Sequence, residues 1–281
     1  MTIFLSILFG GAFFAGLLGA LTGLGGGVVI VPLLTLGFGV DIRYAIGASL
    51  VSVIATSSGA AAAYVKEGIS NIRIGMFLEI ATTTGAIGGA ALAFIAPTHI
   101  IAIIFGVVLL YSAAISFKKR TENTIVTVRA DSRPDRLTRI LKPGGSYTGE
   151  QGKVDYQVQH VKSGFLMMIL AGILSGLLGI GSGALKVIAM DSIMKIPFKV
   201  STTTSNFMIG VTAAASAGIY LSRGYIDPVL SMPVMLGVLA GSLLGAKVLM
   251  KSKTKSIRII FAIVIALLAL EMMYNGITKN I

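Results

Sequence analysis

Eight stretches of about 20 apolar residues recur along this 281-residue chain, at 3–22, 44–65, 72–94, 100–117, 163–180, 200–221, 228–250 and 257–276. Each is close to the roughly 20 residues that cross a hydrocarbon core as a helix. One water-bathed core cannot absorb so many, and charged residues make up only 12% of the chain, about half the share usual in soluble domains. The fold class expected is therefore an all-α polytopic membrane protein with about eight membrane segments. Residues 1–40 carry no ionisable side chain and the first basic residue is Arg43, so the start lacks the positive region of a cleaved leader and is expected to be retained.

Sliding the sequence against itself by 156 residues aligns Ala15–Tyr111 with Ala171–Leu267 without a gap. Gly16 falls on Gly172, Gly27 on Gly183, Ser49 on Ser205, Thr56 on Thr212, Tyr64 on Tyr220 and Gly85 on Gly241. A register that survives through polar positions and loop glycines points to duplication of one four-segment unit. The expected division is a first membrane repeat over 1–117, a connection over 118–162 and a second membrane repeat over 163–281.

The connection loses hydrophobicity, carries Pro134, Pro143, Gly144 and Gly145, and has β-prone stretches at 124–128 and 154–161. It also holds 10 of the 23 basic residues, so the formal charge of +12 is a loop property, which argues for membrane topology and against nucleic-acid binding. If the glycine-broken first segment of each repeat enters and returns to its own side, Lys66, Arg73, the connection, Lys195, Lys199 and the 251–258 cluster all lie on one side. Only Arg43, Arg223 and Lys279 remain opposite. That arrangement makes the repeats inverted, with the N-terminus outside and the central loop cytoplasmic.

Two glycine runs interrupt the apolar pattern at equivalent places: Gly23-Leu24-Gly25-Gly26-Gly27 and Gly179-Ile180-Gly181-Ser182-Gly183. Each interior glycine costs a helix about 1 kcal/mol, so three or four within five residues exceed what close packing requires. Broken helices at membrane depth occur where protein or a water-filled cavity satisfies the freed backbone, so the two matched breaks mark a cavity of the kind in which transporters place substrate. Helices restarting at Val28 and Ala184 would offer free N–H groups suited to an anion. The glycines Gly85, Gly88, Gly89, Gly241 and Gly245 are read instead as close-packing positions.

Ser49, Ser52 and Thr56 form a small polar stripe on the next segment, repeated by Ser205 and Thr212, with Asn206 alongside. These hydroxyls either pack helices or line an anion path. Lys186 lies three residues beyond Gly183, placed to attract an anion or to neutralise Asp191. Glu79 can carry a coupling proton or bond Thr82 and Thr83. The candidate binding set is thus Gly25, Gly26, Gly27, Ser49, Thr56, Gly181, Ser182, Gly183, Lys186, Ser205, Asn206 and Thr212, with Glu79 as coupling residue. With no cysteine, only His99 and His160, and no intramembrane carboxylate pair, neither a metal site, a cofactor nor an enzyme is expected.

The runs Gly23-Leu-Gly-Gly-Gly-Val-Val-Ile-Val-Pro32 and Leu178-Gly-Ile-Gly-Ser-Gly-Ala-Leu-Lys186-Val187, followed by Thr204-Ser205-Asn206, resemble the TauE/SafE sulfite exporter family over nearly the whole chain outside the connection. The resemblance implies export or exchange of sulfite, sulfonates or related small anions across a plasma membrane. Ser182 stands where that family commonly has glycine, and Ile188 where it commonly has proline. The expected mechanism is alternating access, the halves rocking around one midplane anion site; an anion channel is the alternative, an intramembrane enzyme the more remote one.

Overall fold

The structure is a computed structural model that describes residues 2–22, 26–66, 70–117, 145–149, 152–251 and 254–279. Gly25 and the β-prone stretch 124–128 lie outside them. Among the described residues eight helices have 18 to 25 residues: α1 (Thr2–Thr22), α3 (Ile42–Lys66), α4 (Ile72–Ile95), α5 (Thr98–Phe117), α6 (Val161–Leu178), α8 (Phe198–Ser222), α9 (Pro228–Lys251) and α10 (Thr254–Ile277). Two short ones follow the glycine runs, α2 (Gly27–Pro32) and α7 (Gly183–Ile188), each starting one residue before the restart expected from sequence.

Three helices are long and apolar enough to cross a membrane by length and composition: Ile72–Ile95, Val161–Leu178 and Pro228–Gly245. Ile3–Gly19, Gly27–Gly37, Ile42–Ser58, Thr98–Ala114 and Ala262–Ile277 are shorter apolar stretches among the described residues. Large apolar side chains cover the outside of the bundle, and hydroxyls are buried within its apolar interior. Phe14, Ile80, Leu166, Leu221, Leu243 and Leu267 are each more than 60% exposed, whereas Ser49, Ser52, Thr82, Thr212 and Ser216 are fully buried. Such a surface suits a lipid solvent, where apolar surface costs nothing and hydroxyls need protein partners.

Local chemistry sets the element ends. The Asn71 side chain accepts from Ile74 N–H at 3.1 Å and caps α4, and Asp227 accepts from Val229 N–H at 2.9 Å at the start of α9. At the close of α6, Gly179 (φ +68°), Gly181 (φ +70°) and Ser182 (φ +45°) adopt left-handed backbone, which turns the chain back on itself. A π-helical turn follows α2 (Leu33–Gly37) and another follows α7 (Ala189–Ile193). Since Ile188 occupies the place of Pro32, proline does not cause these turns.

The boundaries of α2, its π-turn, α3 and α4 all recur 156 residues on, as do the end of α1 and the start of α5. Tertiary contacts recur with the same offset: Gly16 of α1 abuts the Val238 backbone of α9, and Gly172 of α6 abuts the Thr82 backbone of α4. Gly241 rests on Phe13, and Gly85 on Ile169. The first helix of each set therefore packs on the fourth helix of the other. Both pairs run parallel, since Gly85 and Gly89 meet Ile169 and Ile173 in order. Gly88, by contrast, has no heavy atom within 4 Å of an added Cβ, which corrects the expectation that it packs a helix.

The equivalent helices α3 and α8 run antiparallel: Gly47 near the start of α3 abuts Tyr225 beyond the end of α8, and Asn71 N–H beyond α3 donates to Thr204 Oγ1 near the start of α8. Helices α5 and α10 are antiparallel too, with Gly106 on Ala269 and Met273, and Gly276 on His99 and Ile103. Each glycine break forms a hairpin that returns to its own end. Phe4 and Phe38 rings meet at 5.8 Å, and Gln159 N–H donates to the Met194 carbonyl at 3.0 Å.

One element stands outside the helices. Gly145–Gly149 (β1) pairs antiparallel with Gly152–Tyr156 (β2), so the β-prone reading at 154–161 meets a strand only over its first residues before α6 begins. Buried Tyr156 and Val158 join Ile74, Leu78, Met190, Met194 and Ile196 in a second apolar core, and Asn71 Nδ2 donates to the Tyr156 hydroxyl at 2.8 Å.

Candidate functional site

The two glycine breaks meet between α3 and α8. A Cβ added to Gly27 would lie 3.1 Å from the Gly179 carbonyl oxygen, so one break rests on the other's backbone. Ser49 Oγ of α3 joins them, donating to the Gly179 carbonyl at 2.8 Å with the Gly27 carbonyl 3.4 Å away. Its counterpart Ser205 Oγ donates to the Gly183 carbonyl at 3.3 Å. Val53 and Ile209, also counterparts, pack on Gly181. Sequence reasoning expects a cavity at the matched breaks, with water or protein groups satisfying the broken backbone. In this conformation the groups are hydroxyls, and apolar side chains close the space around the glycines.

Gly26 is buried at the turn into α2, with Val238 Cγ1 2.6 Å from where its Cβ would stand. Gly183 begins α7 against Ile209. Ser182 is 4% exposed, and its hydroxyl has no hydrogen-bond partner among the described residues. A buried hydroxyl in left-handed backbone at a helix break is doubly costly, which marks it as a position held for a reason other than stability.

One turn beyond Ile209 on the same helix, Thr212 organises a charged cluster. Lys186 is fully buried, and its Nζ donates to Thr212 Oγ1 at 2.5 Å. Thr212 Oγ1 lies 2.7 Å from Glu79 Oε1 and 2.8 Å from the Met208 carbonyl. A hydroxyl has one proton to give, so these two acceptors compete for it. Thr83 Oγ1 donates to the same Glu79 oxygen at 3.0 Å, and Thr82 Oγ1 sits 3.4 Å from Thr212. Glu79 Oε2 is buried with no partner among the described residues. Lys186 thus engages Thr212, and Glu79 bonds Thr83 while reaching Lys186 through the same threonine.

The cluster has no mirror image. The positions equivalent to Lys186, Glu79 and Thr82 are Ile30, Met235 and Val238. Thr56, equivalent to Thr212, bonds back to the Ser52 and Val53 carbonyls of its own helix. It does not join the charged group, and its bond one turn back is the helix-packing alternative read for this polar stripe. Asn206 is half-buried on α8. Asn71 and Tyr156, which tie the hairpin to α4, went unnoticed in the sequence, where an isolated asparagine and tyrosine 85 residues apart give no signal.

At the opposite end of the bundle, Arg43 donates to the Ala93 and Ala96 carbonyls, both at 3.0 Å, and Arg223 lies over the Phe94 ring. Guanidinium groups at the last carbonyls of α4 offset its free acceptors and its dipole.

A family model described as sulfite exporter TauE/SafE matches residues 8–272. The chain is 30% identical to the probable membrane transporter protein YunE of Bacillus subtilis (strain 168), over 94% of this chain and 95% of that one. It is 27% identical to the probable membrane transporter protein YdhB of the same organism, over 84% and 86%. To the probable membrane transporter protein MJ0441 of Methanocaldococcus jannaschii it is 23% identical, over 93% and 92%. No solved structure matches. An apolar-coated helical bundle with paired helix breaks, matched by this family from end to end, is a multi-pass membrane transporter, and the chain belongs to the TauE/SafE sulfite exporter family.

Proposed function

We propose that this transporter carries a small anion, of the class of sulfite or a sulfonate, across the plasma membrane by alternating access. The observation that carries the reading is a fully buried lysine, Lys186, inside the short helix that follows a glycine break. A cation inside a membrane bundle is expensive and marks a pathway or a binding site. The anion's site is formed by Gly25, Gly26, Gly27, Gly181, Ser182 and Gly183 with Ser49, Thr56, Ser205, Asn206 and Thr212, and Lys186 supplies the positive charge. Glu79 is the coupling carboxylate.

The repeats are inverted in the membrane. Antiparallel pairing of the equivalent helices α3 with α8 and α5 with α10 supports this, as does the return of each hairpin to its own end. The membrane then holds six spanning helices, α3, α4, α5, α8, α9 and α10, and two re-entrant hairpins, α1–α2 and α6–α7. Arg73, Lys195 and Lys199 share an end with the central connection, while Arg43 and Arg223 lie opposite, so the connection is cytoplasmic by the positive-inside tendency. The interlaced pairs α1–α9 and α4–α6 change what rocks. Glycine contacts between backbones resist sliding, so the moving bodies are these cross-paired units, and not the two halves of the sequence. Packed breaks make the present conformation an occluded one.

The test is uptake of radiolabelled sulfite, sulfoacetate and sulfate into proteoliposomes, for the wild type, Lys186→Ala and Gly26→Leu. Saturable uptake of at least one anion, lost in both folded variants, is expected. Folded wild-type protein that moves none of them overturns the anion reading.

A further inference from the structure

Resting on that reading of Lys186, we infer that Glu79 is the resident counter-anion of the site. Ionised, it holds the lysine charge through Thr212; one proton taken up on Glu79 releases that charge to the substrate, so proton and anion travel together.

Three observations carry this. The first is connectivity: Lys186 Nζ, Thr212 Oγ1 and Glu79 Oε1 form one chain of two short hydrogen bonds, all three residues at least 93% buried. The pair is neutral as a unit, and in a low-dielectric interior a charge left without its partner is costly. The second is vacancy at the carboxylate. Oε1 takes hydroxyl donors from both Thr83 and Thr212, while Oε2 has no partner among the described residues. A carboxylate oxygen buried without a donor is the costly half of the group and the place where a proton relieves most.

The third is asymmetry. Ile30, Met235 and Val238 stand where the other set has Lys186, Glu79 and Thr82, so among these equivalent positions the acid and the base occur together or not at all. Had Lys186 served packing alone, the acid would not be required beside it. The remaining charged groups on the elements packed around Glu79 lie toward helix ends. Arg73 on α4, Lys162 on α6 and Lys199 on α8 are exposed, and Asp191 after α7 is half-buried. Tyr156 beside the α4 cap is hydrogen-bonded to Asn71. Lys186 is thus the charged side chain that the site sets against Glu79.

The charge balance fixes the stoichiometry. With Glu79 ionised the cluster carries zero net charge. An arriving anion would add one negative charge to the buried site, and one proton on Glu79 restores the balance: carboxylate becomes carboxylic acid, the ammonium keeps its protons, and the anion replaces the carboxylate as its partner. Thr212, released from Glu79, turns its hydroxyl to the Met208 carbonyl already 2.8 Å away.

Isothermal titration of methanesulfonate into detergent-purified protein, at one pH in two buffers of different ionisation enthalpy, counts protons taken up per anion bound. Methanesulfonate suits the test because it is a permanent monoanion with no carboxyl group, so every proton counted is bound by the protein. The wild type is expected to take up a proton on binding, and affinity to fall as pH rises. Glu79→Gln is expected to bind with no proton uptake and no pH dependence. The double variant Lys186→Met/Glu79→Gln, neutral and free of an orphaned charge, is expected to lose binding. Wild-type binding without proton uptake, or uptake that persists in Glu79→Gln, overturns the exchange while leaving the anion site standing. A folded Glu79→Gln that no longer binds overturns it also, because a neutral amide leaves Lys186 available. Full binding by the double variant overturns the assignment of Lys186 itself. No binding by the wild type overturns both readings for this anion.

Discussion

Replacing Gly172 by alanine tests the interlaced packing at one of its close backbone approaches. An added Cβ would stand 2.9 Å from the Thr82 carbonyl carbon and 3.0 Å from the Ala86 nitrogen, with the Thr82 oxygen nearer still. These are backbone atoms inside a helix, so no rotamer change relieves them. Reaching an ordinary carbon contact of about 3.5 Å requires α4 and α6 to separate by several tenths of an ångström or more. Overpacking of this kind costs about 1–3 kcal/mol, against about 1 kcal/mol recovered from helix propensity. Gly88, on α4 with open space around its Cβ, is the control: alanine there has only the propensity gain. The propensity gain is common to both, so the two variants should differ by the overpacking cost, about 1–3 kcal/mol. Thermal unfolding in detergent should place Gly172→Ala below the wild type and Gly88→Ala at or above it. Separation of α4 also carries Thr82 and Glu79 away from Thr212, so anion uptake should fall in the first variant alone. Equal stability of both would refute the close approach of α4 to α6.

Ser49→Ala removes the hydroxyl that joins the two breaks and leaves the Gly179 carbonyl buried without it, an expected loss of about 1–3 kcal/mol. Ser205→Ala, whose bond is longer at 3.3 Å, should cost less; chemical unfolding of the purified variants ranks them, and a larger loss at Ser205 would contradict the bridge. Burial pushes the Tyr156 phenol above its ordinary value, with the Asn71 hydrogen bond pulling less strongly the other way. A raised value in the folded state means the stabilisation is complete below the ordinary tyrosine value of about 10 and fades as pH climbs through the folded one. Hairpin docking, followed by a fluorophore on β1, should therefore loosen in alkali, and Tyr156→Phe should remove that pH dependence at a cost of about 1 kcal/mol.

The apolar runs foretold where the long helices lie because a 20-residue apolar stretch has few other fates, and the glycine runs marked where the first helix of each set breaks. The self-match told which positions correspond, yet not which ones touch. Gly172 aligns with Gly16 but rests on Thr82, because the first helix of each set packs on the fourth of the other. That exchange depends on three-dimensional closure, which a linear register does not encode. For the site, the informative signal lay where the two copies disagree: Lys186 against Ile30, Glu79 against Met235, Thr82 against Val238. Each mismatch alone resembles drift, and only folding gathers them around Thr212. The strand Gly145–Gly149 was invisible for another reason, as its glycine-rich run has no apolar alternation to announce it.

Cross-pairing also sets a schedule for synthesis. Gly16 needs Val238, roughly 220 residues later, so at 5–20 residues per second α1 waits on the order of 10–40 s in the membrane without its partner. During that interval its glycine face is open to any neighbouring helix. Helix α6, by contrast, finds α4 already present when it emerges. The second copy is thus assembled onto the first, and the earliest helix waits longest for its partner.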